Sequence, residues 1–109
     1  MMNKLINLQN EWVKTSIDSE MGLWWLANDV REIIGNLPEQ EICSLTLNLI
    51  KPLLIEKKLL PITLNNDGTY KVWSEEPSRV IEKIRNQWLS LGRKPTIDDI
   101  VWFIGSRNT

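Results

Sequence analysis

Chemistry by a protein needs a nucleophile, a base or a set of metal ligands, and this sequence is poor in all three. It has no histidine and one cysteine, Cys43. Activation of a hydroxyl or thiol by imidazole is therefore excluded. A Ser–Lys pair stays open by counting alone, but no spacing singles one out. A metal centre would have to be all-carboxylate, since neither imidazole nor a thiol pair exists. Carboxylates do occur as neighbours, at Glu75-Glu76 and Asp98-Asp99. Adjacent residues on a helix point about 100° apart and rarely converge on one atom. Their positions suit helix ends instead: Asp99 as part of a cap, Glu75 and Glu76 ahead of a helix N-terminus, where negative charge is favoured. The expectation is no enzyme, no cofactor and no metal.

What is left is recognition by surface. Six of the 109 residues are Trp, which is many for a chain this short. Trp combines a large apolar area with an N–H that seeks a partner, and it is favoured as an interface anchor. Core packing should absorb Trp24 or Trp25, Trp88 and Trp102. Trp73, beside Glu75 and Glu76, is the candidate for an exposed anchor. The candidate binding set is therefore Asp67, Trp73, Glu75, Glu76 and Asp98, with Asp18 and Glu20 as a second acidic spot. Cys43, near Ile42 and Leu45, reads as a buried small hydrophobe. Lys57-Lys58 and Arg93-Lys94 read as helix-end and turn groups. The net charge of −1 argues against broad binding to a phosphate backbone.

The elements that must position these residues follow from periodicity. Residues 3–16 carry an uneven apolar stripe through Leu5, Leu8, Trp12 and Val13 and predict a helix. Residues 20–35 predict a second one, with Leu23, Leu26, Ala27, Val30 and Ile34 on one face and Gly35 past its end. A third starts near Pro38 and runs to about Lys58 with a broad apolar face, which suggests the central helix; Pro52 should kink it near Asn48. Residues 60–73 alternate around Asn65-Asn66-Asp67-Gly68 and predict a β-hairpin. Pro77 opens a fourth helix with a seam through Val80 or Ile81, Ile84, Trp88 and Leu91, stopped by Gly92. Thr96 and Asp99 form a capping-box-like pair opening a last short helix, although the β-branched Ile100-Val101 leaves an extended segment open there.

This order predicts a single domain over 1–109: mainly α with a small β-hairpin (α+β), a winged-helix-like helical domain in which three helices precede a two-stranded wing. That shape admits one alternative function, a winged-helix DNA-binding transcription regulator. The exposed positions of the third helix, Ser44, Asn48, Lys51 and Glu56, offer a DNA groove little. The N-terminus has no signal-peptide core, and no apolar run reaches bilayer length. The expectation is a cytoplasmic protein without membrane contact.

Four segments carry a resemblance: G-L-W-W-L-A-N-D-V-R-E (22–32), L-T-L-N-L-I-K-P-L-L-I-E-K-K-L-L (45–60), N-D-G-T-Y-K-V-W (66–73) and W-L-S-L-G-R-K-P-T-I-D-D-I-V-W-F (88–103). Together the chain resembles small bacterial immunity proteins of contact-dependent growth inhibition and related polymorphic toxin systems. Related sequences often have Gly at the position of Asp98, and a Ser N-cap where this chain has Glu76. The resemblance implies a toxin inhibitor acting by protein–protein interaction, one to one with the C-terminal domain of a cognate toxin, expected to be a nuclease. No direct contact with nucleic acid is expected. A nuclease groove is usually cationic, so an inhibitor gains association rate by offering it carboxylates.

Overall fold

The structure, a computed structural model, describes residues 2–97 and 99–105. Helix α1 (Met2–Ser16) buries Leu5, Leu8 and Trp12 at three- and four-residue steps. The Trp12 indole donates to Asp29 Oδ2 at 2.9 Å, which ties α1 to helix α2 (Leu23–Ile34). The periodicity predicts helix from residue 20, but α2 starts only at Leu23. Met21 and Gly22 form a short strand, β1 (Met21–Gly22), opposite Phe103 and Trp102 at the far end of the chain. No local pattern encodes that partnership.

Helix α3 (Glu39–Ile55) buries Ile42, Cys43, Thr46, Leu47, Ile50, Leu53 and Leu54. It packs against both α1 and α2 and is the central helix the sequence predicts. It continues past Pro52; Asn48, whose carbonyl loses its helical partner there, is exposed and open to water. The helix closes with Lys57 in the left-handed region (φ 60°). The Lys58 N–H donates back to the Leu53 carbonyl at 2.8 Å. Glycine usually fills such a position.

The hairpin follows as predicted, with β2 (Leu59–Leu64) and β3 (Tyr70–Val72) antiparallel and Ile62 opposite Val72. Gly68 takes φ 88° at its turn. Helix α4 (Pro77–Leu91) buries Val80, Ile81, Ile84 and Trp88 of the predicted seam and leaves its last member, Leu91, half-buried; it packs on α3 and ends at Gly92 with φ 66°.

At the C-terminal segment the extended alternative left open by Ile100-Val101 holds, and the short helix expected after the cap does not. Asp99 Oδ2 does accept from the Thr96 N–H (2.7 Å) and Thr96 Oγ1 (3.0 Å), as a capping pair would. No helix follows. Ile100 turns to φ 68°, and the chain extends into β4 (Trp102–Gly105). This strand lies between β1 and β2 in a sheet of order β1-β4-β2-β3 with every pairing antiparallel. Pairing across the sheet overrides a cap that could nucleate only one turn. Among the described residues the fold is thus mixed α+β, four helices and a four-stranded antiparallel sheet, and the hairpin is part of that larger sheet. No helix of the described residues is long and apolar enough to cross a membrane.

One hydrophobic core joins all four helices to Met21, Leu59, Val101 and Phe103 of the sheet side. Trp88 is fully buried within it. Its indole donates to Glu39 Oε2 at 2.8 Å, and both Glu39 oxygens accept from Arg31 Nη2. The other indoles expected in the core, Trp24 or Trp25 and Trp102, are only half-buried, and Trp12 of the α1 stripe is buried instead, at 2% exposure. Trp88→Ala should therefore cost about 3–5 kcal/mol through the cavity it opens, read as a lowered denaturation midpoint. An unchanged midpoint would mean that α4 does not hold the domain together.

Candidate functional site

The base of the hairpin meets the start of α4 and the end of α3. The chain leaves β3 at Val72, and Pro77 begins α4, so only a short extended link separates sheet from helix. The Trp73 N–H donates to the Pro61 carbonyl at 2.9 Å and holds this link against β2. The result is a cleft of about 790 Å³. Leu54, Leu59, Pro61 and Val80 give it apolar walls, and Trp73, Glu75, Glu76 and Lys57 also line it. Its size falls within the range of sites for ligands or for a partner's side chains, roughly 300–1,000 Å³.

Trp73 is half-buried and packs against the core. Its indole donates to Thr63 Oγ1 at 2.9 Å, and Lys83 Nζ stands 4.2 Å from the ring centroid. That ammonium also donates to Glu75 Oε2 at 3.1 Å. The bond, foremost, holds the Glu75 carboxyl below its ordinary pKa. Glu75 is thus part of an exposed Trp73–Lys83–Glu75 contact, and its charge is partly matched within the chain. Glu76 is exposed and precedes the first turn of α4 with no side-chain cap bond. Lys83 was legible in the sequence only as part of the solvated face of α4. Its partner lies ten positions earlier in another element, and no sequence signal links the two.

Two other expected residues lie elsewhere. Asp67 is at the hairpin tip, six residues before Trp73, which is roughly 20 Å of chain at strand rise. Its Oδ1 accepts from Thr69 Oγ1 (2.6 Å) and the Thr69 N–H (3.0 Å). These bonds, the hydroxyl first, lower its pKa and give it a turn-closing role. Asp98 lies outside the described residues.

Ser78 and Lys57 line the same cleft, but no hydrogen bond between them is present among the described contacts. Cys43 is 1% exposed, and loss of solvation foremost pushes its thiol up to about 11, so it stays protonated at neutral pH. No group of three or more His, Cys, Asp or Glu converges among the described residues.

The turn before β4 carries the most perturbed carboxylate with a clear cause. The Arg93 Nη1–Asp99 Oδ2 bond (2.8 Å), followed by the bonds from Thr96, brings Asp99 from 3.8 to about 2. A depressed folded pKa gives stability that is present above the unfolded value and lost as pH falls through the folded one. Wild type should therefore lose stability between about pH 4 and pH 2 through this turn, and Asp99→Asn should flatten that part of the curve. Equal acid limbs for the two proteins in urea titrations at pH 5, 4, 3 and 2 would remove Asp99 from the account. Set beside known proteins, the chain matches no family, no curated protein and no solved structure.

Proposed function

We propose that this chain is an immunity protein that binds and neutralises the C-terminal domain of a cognate toxin, without chemistry of its own. The observation that carries the reading is the cleft at the hairpin base, an apolar hollow with the exposed carboxylates Glu75 and Glu76 beside a half-buried indole. An exposed, unpaired carboxylate costs little in water and gains from a cationic partner, chiefly in association rate. Glu76 is the freer of the two, since Glu75 already holds Lys83. The four segments that resemble immunity proteins of contact-dependent growth inhibition point the same way, with a nuclease as the expected toxin and the cytoplasm of the producing cell as the expected site of action.

In fold, the run α1, α2, α3, β2, β3 is read as winged-helix-like, with the hairpin as wing. The alternative of a DNA-binding regulator gains little from it. The exposed side of α3 (Glu39–Ile55) holds one cation, Lys51, among Gln40, Glu41, Ser44, Asn48 and Ile55, whereas a recognition helix presents several polar and basic groups to the groove.

Titration calorimetry of the purified chain against the domain encoded by the adjoining toxin gene should give a one-to-one complex, and co-expression should restore growth to cells making that domain. No heat together with no protection removes the proposal. Glu75→Lys combined with Glu76→Lys should slow association about tenfold at low salt and less at high salt, with melting little changed. An unaltered on-rate would show that these carboxylates do not steer the partner.

A further inference from the structure

The sheet has two sides: the helix-packed one ends in the exposed Thr63–Lys71 pair toward the hairpin tip, and the other is apolar along its length. The helices pack on the side that carries Met21, Leu59 and Phe103, all members of the contiguous core. Strand alternation turns the intervening residues the other way. There Leu60 stands opposite Ile104, and Ile62 opposite Trp102. On the hairpin's other strand, Val72 faces Ile62 and Tyr70 faces Leu64. Ile62 has no exposed surface, yet it does not belong to the helix-packed core. Trp24 extends the surface past the edge strand. A methyl group on Gly22 would stand 2.6 Å from Trp24 Cδ1 and 3.6 Å from Trp102 Cε3, so the two indoles meet over that glycine. Trp24 Nε1 is buried there without a hydrogen-bond partner among the described residues.

An antiparallel sheet with one face in water normally places polar residues on it. At the positions just named this face has no charged residue and only the Tyr70 hydroxyl and the indole N–H groups as polar side-chain atoms, and Tyr70 and Val72 remain 50% and 40% exposed. The four strands have two, six, three and four residues; at about 4.8 Å spacing and roughly 3.3 Å per residue they cover on the order of 240 Å². A standard interface takes about 800 Å² from each partner, so the face is the size of an interface's apolar centre, and its loops supply the rim. The rim is acidic on one side. Residues 16–20 frame a hollow of about 380 Å³ with Leu60, Tyr70 and Ile104. Among the described residues, Asp18 and Glu20 are the charged groups lining it. Two such rims brought together in a pair of identical copies would repel, whereas Lys and Arg around a partner's apolar patch would be attracted.

We infer that the outer face of the sheet, rimmed by Asp18 and Glu20, is the docking surface for a basic toxin domain that presents an apolar patch ringed by Lys and Arg. The inference rests on the immunity reading above and deepens it: the carboxylates near the cleft steer the partner, and the sheet face holds it.

The test uses the intact chain and the purified domain encoded by the adjoining toxin gene. Tyr70→Glu with Val72→Glu places two charges on exposed positions, so melting should stay near wild type while affinity falls by about 100-fold or more. Asp18→Lys with Glu20→Lys, in the loop before β1, gives a second measurement if the first pair does not fold; association should slow about tenfold at low salt. If wild type binds and both pairs bind equally well, the docking surface is not this face and the immunity reading survives. If wild type itself does not bind, that reading falls and the inference falls with it. Sedimentation showing a dimer of the chain alone that Tyr70→Glu with Val72→Glu dissociates would assign the face to a second copy and overturn the inference.

Discussion

The fold closes on the pairing of β4. Until Trp102–Gly105 lies between β1 and β2, the two residues of β1 have no sheet partner and the hairpin is an isolated pair of strands. An isolated hairpin is marginal in water. Insertion of β4 joins the segment after α1, the C-terminal segment and the hairpin into one sheet, and it brings Phe103 to the helices. The strained Ile100, in the left-handed region with a β-branched side chain, sits where the chain must turn sharply to enter that slot. The Arg93–Asp99–Thr96 bonds hold the turn just before it. Strain there is tolerated because pairing on both sides of β4 fixes the path.

The helical layer depends on a second long-range tie. Glu39 gathers the guanidinium of Arg31 and the indole N–H of Trp88, so the start of α3 is fastened to the end of α2 and to the last turns of α4. Trp12 and Asp29 do the same for α1 and α2. In both cases a large indole supplies burial, while its single polar atom reaches a carboxylate near the surface. This arrangement buries an aromatic ring without orphaning its N–H. Two of the six Trp thus serve the architecture, and Trp73, Trp24 and Trp102 lie at the cleft or on the outer side of the sheet.

The proposed recognition divides its labour between charge and apolar area. Carboxylates at exposed positions act over a distance set by ionic strength, and so influence how often a cationic partner arrives. The outer sheet face lacks long-range reach, but its burial would set how long a partner stays. The Lys83 contact adds a constraint: by holding Glu75 and covering Trp73, it restricts the rotamers of both and trims the net negative charge at the cleft.

Local sequence determined much of the helical framework. The seams of α1, α2 and α4, the breadth of α3, the turn at Gly68 and the stop at Gly92 follow from periodicity and from residues that tolerate particular backbone angles, which are short-range properties. The lack of an imidazole partner for any nucleophile was equally legible, since it needs only a count. Tertiary structure alone decided the strand at Met21–Gly22, the conversion of the segment after Thr96 from helix to strand, and the partners of Glu39, Trp73 and Trp102. Each depends on a residue tens of positions away or in another element. The energy of sheet pairing and core burial there exceeds the weak local preference of a capping pair or a helical stripe, so the choice is made only when the distant segments meet.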